Sequence, residues 1–233
     1  MSKLRNALIL VGSPKGKKSA SNNIASYIED GFNKNEVQTE KVFVARYKKP
    51  DKLKELLKKA SESELIVIVA PLYFDSIPAL TIRFMEEFSN YKKSLPKTQQ
   101  KLMAVFNCGF PESYQNDVAI KICENFASQT DMEWMGGIAV GMGPSVENKS
   151  LKDAGMPAKN LREGLDTIID SLSNNDTVPP EAIATASKLS LPLFLVKFGY
   201  AHLSKSLYWK RRVKDKEIIK KMYDRPYDVD NVE

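Results

Sequence analysis

Residues 12–22, Gly-Ser-Pro-Lys-Gly-Lys-Lys-Ser-Ala-Ser-Asn, bring together four requirements of an anion site: glycines for a sharp turn, hydroxyls to donate, lysines to attract, and a helix just beyond. The stretch follows an apolar run at 7–11, which reads as a buried strand. It leads into Asn23-Ile24-Ala25-Ser26-Tyr27-Ile28, the opening of an amphipathic helix whose N-terminal amides can face a phosphate oxygen. It reads as a phosphate cradle. The competing explanation is a solvated, lysine-rich loop capped by Ser19 or Ser21.

The register selects among phosphate ligands. A Walker A motif needs four residues between its glycines, and only Ser13, Pro14 and Lys15 separate Gly12 from Gly16. The run Ile68-Val69-Ala70-Pro71 also lacks the aspartate that would hold Mg²⁺. The Gly-x-Gly-x-x-Gly spacing of a dinucleotide fingerprint is absent. A hydroxyl-rich loop suits a terminal monoester phosphate, whose oxygens can take donors from Ser13, Ser19, Ser21 and Asn22.

Two further loops carry chemistry. Pro71-Leu72-Tyr73-Phe74-Asp75-Ser76-Ile77 is aromatic and apolar, and a planar ring beside Tyr73 and Phe74 would explain exposed aromatics there. The competing role for one of the two aromatics is core packing under the next helix. Asn107-Cys108-Gly109 opens a third loop, in which Gly109 permits close backbone approach. Cys108 has no neighbouring histidine or base to activate it. The single histidine, His202, lies far along the chain, and no Gly-x-Ser-x-Gly elbow exists, which argues against a triad hydrolase. Asp75 and Glu112 are the only acids expected near these loops, and either serves equally well as a helix cap. No catalytic residue is assigned, and no metal site is expected.

The elements that must position these loops alternate between apolar runs (7–11, 40–45, 65–70, 102–106, 138–142) and helical periodicity (22–33, 52–60, 79–91, 114–129, 160–171). That alternation predicts an α/β fold: a five-stranded parallel sheet with helices on both faces. Strands one and three are apolar throughout and read as central, whereas Thr39-Glu40-Lys41-Val42-Phe43-Val44 is polar enough for an edge. The order 2-1-3-4-5 follows, with ligands expected where the loops after strands one and three meet.

At 233 residues, 42% hydrophobic and 27% charged, the chain has the composition of an ordinary globular protein. The net charge of +6 is spread over helix faces mixed with acids, as in Lys52-Leu53-Lys54-Glu55, which argues against nucleic acid as the partner. A mild positive field favours anionic small molecules. Two cysteines form no disulfide framework, so a cytoplasmic location is expected. No apolar stretch has the ~18 residues of a membrane span.

Asn174-Asn175-Asp176-Thr177-Val178-Pro179-Pro180 marks the boundary between a domain over 1–175 and a helical extension over 176–233, with helices expected at 181–189, 193–208 and 215–223. The extension is too short for its own core and is expected to pack on the domain or on a partner subunit. The apolar residues 193–200 beside Lys210-Arg211-Arg212 also permit a membrane-surface role, although packing at a subunit contact is the commoner use of such a face.

With Gly12-Ser13-Pro14-Lys15 and Ser21-Asn22, the aromatic loop at 71–79 and the loop at 107–112, the chain resembles the flavodoxin-like NAD(P)H-dependent FMN reductase and quinone reductase family over about residues 5–172. The resemblance implies bound FMN, reduced by NAD(P)H and reoxidised in ping-pong fashion by a quinone, a flavin or a similar small acceptor. It implies that Ser13, Lys15, Ser19, Ser21 and Asn22 lie at the phosphate. It places Pro71, Leu72, Tyr73, Phe74, Asp75, Ser76 and Ile77 on the isoalloxazine loop, and Asn107, Cys108 and Gly109 on the third loop. Lys17 and Lys18 depart from the shorter loops of many members. Members are often homodimers. A non-catalytic flavodoxin-type electron carrier is the alternative, against which stand the basic charge and the extra C-terminal helices.

Overall fold

The computed structural model describes residues 3–190 apart from positions 97 and 148, together with isolated positions beyond 190. Strands β1 (Asn6–Val11), β2 (Gln38–Phe43), β3 (Leu65–Pro71), β4 (Gln100–Asn107) and β5 (Met132–Val140) form one parallel sheet in the order β2-β1-β3-β4-β5. Between and after them run α1 (Ala20–Lys34), α2 (Pro50–Glu62), α3 (Ala79–Lys92), α4 (Asp117–Gln129), α5 (Lys159–Ser173) and α6 (Pro180–Ser187). This is the expected flavodoxin-like arrangement.

Period-two side-chain alternation divides the sheet's apolar residues between two cores. Ile9, Val11, Val67 and Val69 face α1 and α5 through Ile24, Phe32, Leu165 and Ile168. Leu8, Leu10, Ile66 and Ile68 face α2, α3 and α4 through Leu56, Phe84, Phe88 and Ala119. Both faces of β1 and β3 are therefore covered, which is why these strands carry almost no polar residue. β2 lies at the edge, and its exposed and half-buried residues alternate from Gln38 to Lys41.

The strands differ from expectation in extent, most plainly β2 at its end and β5 at its start. β2 ends at Phe43, because pairing from Asn6 with Gln38 to Val11 with Phe43 exhausts β1, and Val44–Arg46 turns into a 3₁₀ segment. β5 begins at Met132, six residues before the expected start at 138. Its apolar pattern is broken by Gly136, which sits at φ +114° where the register with β4 slips between Leu102 and Met103. A bulge of this kind adds a residue, and a glycine takes the unusual backbone angle with little strain.

Residues 1–190 form one compact unit and 191–233 another. Within the first, α6 closes on α5 and β5: Ala182 and Ala186 are buried, and the Ser187 hydroxyl accepts from the Ala139 amide at 3.0 Å. The helices expected at 193–208 and 215–223, together with His202 and the basic run at 210–212, fall outside the described residues but for isolated positions. Among the described residues no helix is long and apolar enough to cross a membrane.

Candidate functional site

At the C-terminal end of β1 the Gly12 amide donates to the Val69 carbonyl at 2.9 Å. A Cβ at residue 12 would lie 2.5 Å from Thr81 Oγ1 and 2.8 Å from the Ala70 side chain, so only glycine lets the chain leave the sheet here. The Ser13 carbonyl then accepts from Gly16 N–H at 3.1 Å, and Gly16–Lys18 makes a single 3₁₀ turn. Ser19 caps α1: its hydroxyl accepts from the Asn22 amide at 3.1 Å and donates to the Gly16 carbonyl at 2.7 Å. The first-turn amides of Ala20 and Ser21 have no acceptor within the helix and carry its partial positive charge.

The third loop reaches the cradle through Asn107. Its Nδ2 donates to Ser21 Oγ at 2.8 Å and to the Ala70 carbonyl at 3.1 Å. Asn107 and Ser21 are both buried. Next to it, the Cys108 thiol lies 3.5 Å from the Phe110 carbonyl and 3.7 Å from the Glu112 carbonyl, and it receives Asn116 Nδ2 at 3.4 Å. Burial pushes this thiol above its ordinary range and outweighs the lowering effect of its hydrogen bonds. Cys108 therefore stays protonated at neutral pH and organises its loop, in keeping with the absence of an activating base.

The aromatic loop is a tight turn. Tyr73 and Ser76 exchange backbone hydrogen bonds at 2.9 and 3.0 Å around Phe74 and Asp75, both at positive φ (48° and 58°). That is the conformation of a type I′ turn, which favours Asn and Gly and is strained for phenylalanine. Phe74 is fully exposed at its tip and Tyr73 is 41% exposed. A strained aromatic held in solvent at the rim of a cleft points to a functional constraint.

These loops meet in one open cleft of about 140 Å³. Ser13, Lys15, Ser19, Ser21, Pro71, Leu72, Tyr73, Asn107, Cys108 and Gly109 all line it. Asn22, Phe74, Asp75, Ser76 and Ile77 do not. The Asn22 amide is bound to the Ser19 cap, and its Nδ2 donates to the Lys17 carbonyl at 3.1 Å. Phe74 and Asp75 form the turn tip, Ser76 closes the turn, and Ile77 is buried in the core under β3. Lys17 and Lys18 are exposed.

Sequence reasoning missed four lining residues: Ala20, Gly143, Pro144 and Glu147. The last three belong to the loop after β5, which two strands, β3 and β4, separate from β1 in the sheet. This loop turns back because the Gly143 amide donates to the Cys108 carbonyl and Met142 N–H to the Phe110 carbonyl, both at 2.8 Å. Asn23 then clamps it, its Nδ2 lying 2.7, 2.9 and 2.8 Å from the carbonyls of Val146, Glu147 and Lys149. So held, the Glu147 carboxylate pairs with Lys15 Nζ at 2.5 Å. The dense turn formers Gly141, Gly143 and Pro144 were the only sequence signal for such a return.

Residues 6–120 match the NADPH-dependent FMN reductase family. The match bears out the resemblance read from the motifs. It runs from β1 into α4 and so takes in the cradle, the aromatic loop and the loop after β4, while the Glu147 loop lies beyond it. An FMN-dependent NADH-azoreductase from Bacillus anthracis, solved in complex with FMN, superposes with a TM-score of 0.51 at 12% identity, over 73% of this chain and 100% of its own. A flavodoxin from Streptococcus pneumoniae gives 0.50 at 14% identity, over 73% and 99%. The rubredoxin oxygen:oxidoreductase of Desulfovibrio gigas gives 0.51 at 10% identity over 78% of this chain, which spans only 37% of that protein. At these identities the likeness to solved structures is one of fold. No curated protein matches the sequence.

Proposed function

We propose that this protein is an FMN-dependent NAD(P)H oxidoreductase that reduces a quinone, a flavin or a similar small acceptor by ping-pong hydride transfer. The observation that carries the reading is that the buried hydroxyls at the N-terminus of α1 share one cleft with Tyr73 and the backbone at Gly109.

The residues present fit the phosphate end of FMN. Ser21 accepts its hydrogen bond from Asn107, so its own O–H remains to donate beside two helix-terminal amides. The cleft's 140 Å³ is well below the roughly 300–1,000 Å³ that encloses a drug-sized ligand. It suits the phosphate and the adjoining chain, and Tyr73 at the mouth would be the aromatic available to the ring system. Bound FMN would supply two-electron chemistry, taking hydride from NAD(P)H and returning it to the acceptor. The protein's own work is to hold and orient: Ser13 and Ser21 at the phosphate, Asn22 through the cap it shares with Ser19, Lys15 as a source of attraction, and the amides of Phe74, Asp75 and Ile77 at the ring edge, the Ser76 amide being engaged by the Tyr73 carbonyl. Cys108, kept as a neutral thiol, shapes the loop that carries Gly109.

In this reading residues 1–175 carry the site, residues 176–233 extend it beginning with α6, and the protein acts as a cytoplasmic homodimer. The absorbance spectrum after incubation with FMN and desalting tests the cofactor: a retained flavin band at about 450 nm is expected, and a colourless protein refutes the reading. Stopped-flow bleaching of that band by NAD(P)H tests the activity. Retained flavin that NAD(P)H does not bleach would assign the protein as a non-catalytic carrier.

A further inference from the structure

The cradle contains its own counter-charge. Lys15 is the only lysine among the residues that line the cleft, and its ammonium is paired with Glu147 at 2.5 Å. The two partners are unequally buried and anchored. The Lys15 side chain is 58% exposed on a flexible stem, whereas that of Glu147 is 14% exposed, on a loop pinned by Asn23 to the first turn of α1. The carboxylate is thus a fixed part of the wall.

We propose that Glu147 is a specificity-determining residue that keeps the lining of the cleft close to neutral, so that a bare anion gains little from entering and only a phosphate attached to a ring is retained. The inference rests on the reading that FMN phosphate enters this cleft. Glu147 opposes a phosphate in two ways: it engages the Lys15 charge, and it sets a like charge beside the incoming dianion in a partly desolvated wall, where charges are poorly screened. The affinity that the charge withholds must come from contacts that a free anion cannot make, at Tyr73, Leu72 and the backbone of Gly109.

The test is a set of FMN titrations by flavin fluorescence on the full chain, each repeated with inorganic phosphate as competitor and at two salt concentrations. Glu147→Gln preserves shape and removes the charge. It is expected to bind FMN about tenfold tighter, equivalent to ~1.4 kcal/mol, with a steeper loss of affinity at high salt and an inhibition constant for phosphate that falls by about the same factor. Lys15→Met, which leaves the carboxylate unopposed, is expected to bind about tenfold more weakly. The double variant restores the wild-type charge and is expected to return to within about threefold of wild-type affinity. If Glu147 instead served to aim Lys15 at the phosphate, Glu147→Gln would weaken FMN. That result, or an unchanged affinity, overturns the inference while leaving the FMN reading intact. Failure of FMN to bind wild type and variants alike overturns both.

Discussion

Asn107 Nδ2 lies 2.8 Å from Ser21 Oγ, joining the end of β4 to the first turn of α1 across 86 residues of sequence. The same amide nitrogen reaches the Ala70 carbonyl at the end of β3. A carbonyl only accepts, so the Asn107 amide is fixed in orientation, and Ser21 must take the accepting role towards it. The Ser21 proton is thereby left for the cleft. One buried carboxamide ties together the ends of three elements and sets the direction of a donor.

Removing that link should affect both folding and binding. Asn107→Leu removes two buried hydrogen bonds, to Ser21 and to the Ala70 carbonyl, and is expected to lower unfolding free energy by about 1–3 kcal/mol, read by urea denaturation. Asn107→Asp is the sharper probe of position. Its carboxylate accepts only, which turns the Ser21 proton away from the cleft and faces the Ala70 carbonyl with a like dipole. FMN affinity should fall further for a given loss of stability than in the leucine variant.

Ser19 and Ser21 are both serines of the cradle with different duties. The Ser19 hydroxyl is engaged on both sides by the cap, so Ser19→Ala should cost about 1 kcal/mol of stability, the usual value of an N-cap. Ser21→Ala removes a donor without removing the cap, and is expected to weaken FMN more than Ser19→Ala does when both are compared by fluorescence titration. Replacing Ser21 and Asn22 together should likewise weaken FMN retention more than replacing the exposed Lys18, because oriented donors outweigh a screened charge.

Phe74→Gly separates strain from contact. Glycine relaxes the positive φ at that position, so the melting temperature should rise, by an amount equivalent to roughly 1 kcal/mol. Loss of the exposed ring should at the same time weaken FMN or slow transfer to the acceptor. A variant that is more stable and equally active would show the aromatic to be without function.

Alkaline pH reports on the second cysteine. Burial pushes the Cys123 thiol up to about 12 from an ordinary value near 9. Between those limits the unfolded chain loses the proton and the folded chain keeps it, so stability is lost as pH rises. The expected slope is about 1.4 kcal/mol per pH unit for this group, flat below about pH 9. Cys123→Ala lowers stability at every pH by removing packed atoms, but its slope from about pH 9 to about pH 11 should be shallower by that amount. Equal slopes in urea denaturation would show the thiol to be less buried than the fold places it.

Much of this molecule was written locally. The continuous apolar runs at 7–11 and 65–70 announced strands covered on both faces, and the polar 39–44 announced an edge, so the sheet order could be read from hydrophobic patterning before any contact was known. The turn and cap of the cradle were legible for the same reason, since Ser13 and Ser19 act on a backbone only a few residues away. Tertiary structure decided what depended on distant segments. It brought the loop after β5 back across two strands and set Glu147 against Lys15, 132 residues apart. It engaged the Ser19 hydroxyl in a cap, sent Ile77 into the core while Phe74 stayed in solvent, and began β5 six residues early around the glycine bulge. Periodicity records which face of an element is buried; which side chain then meets which across two loops depends on the path of each loop over the folded sheet, and no local pattern encodes that path.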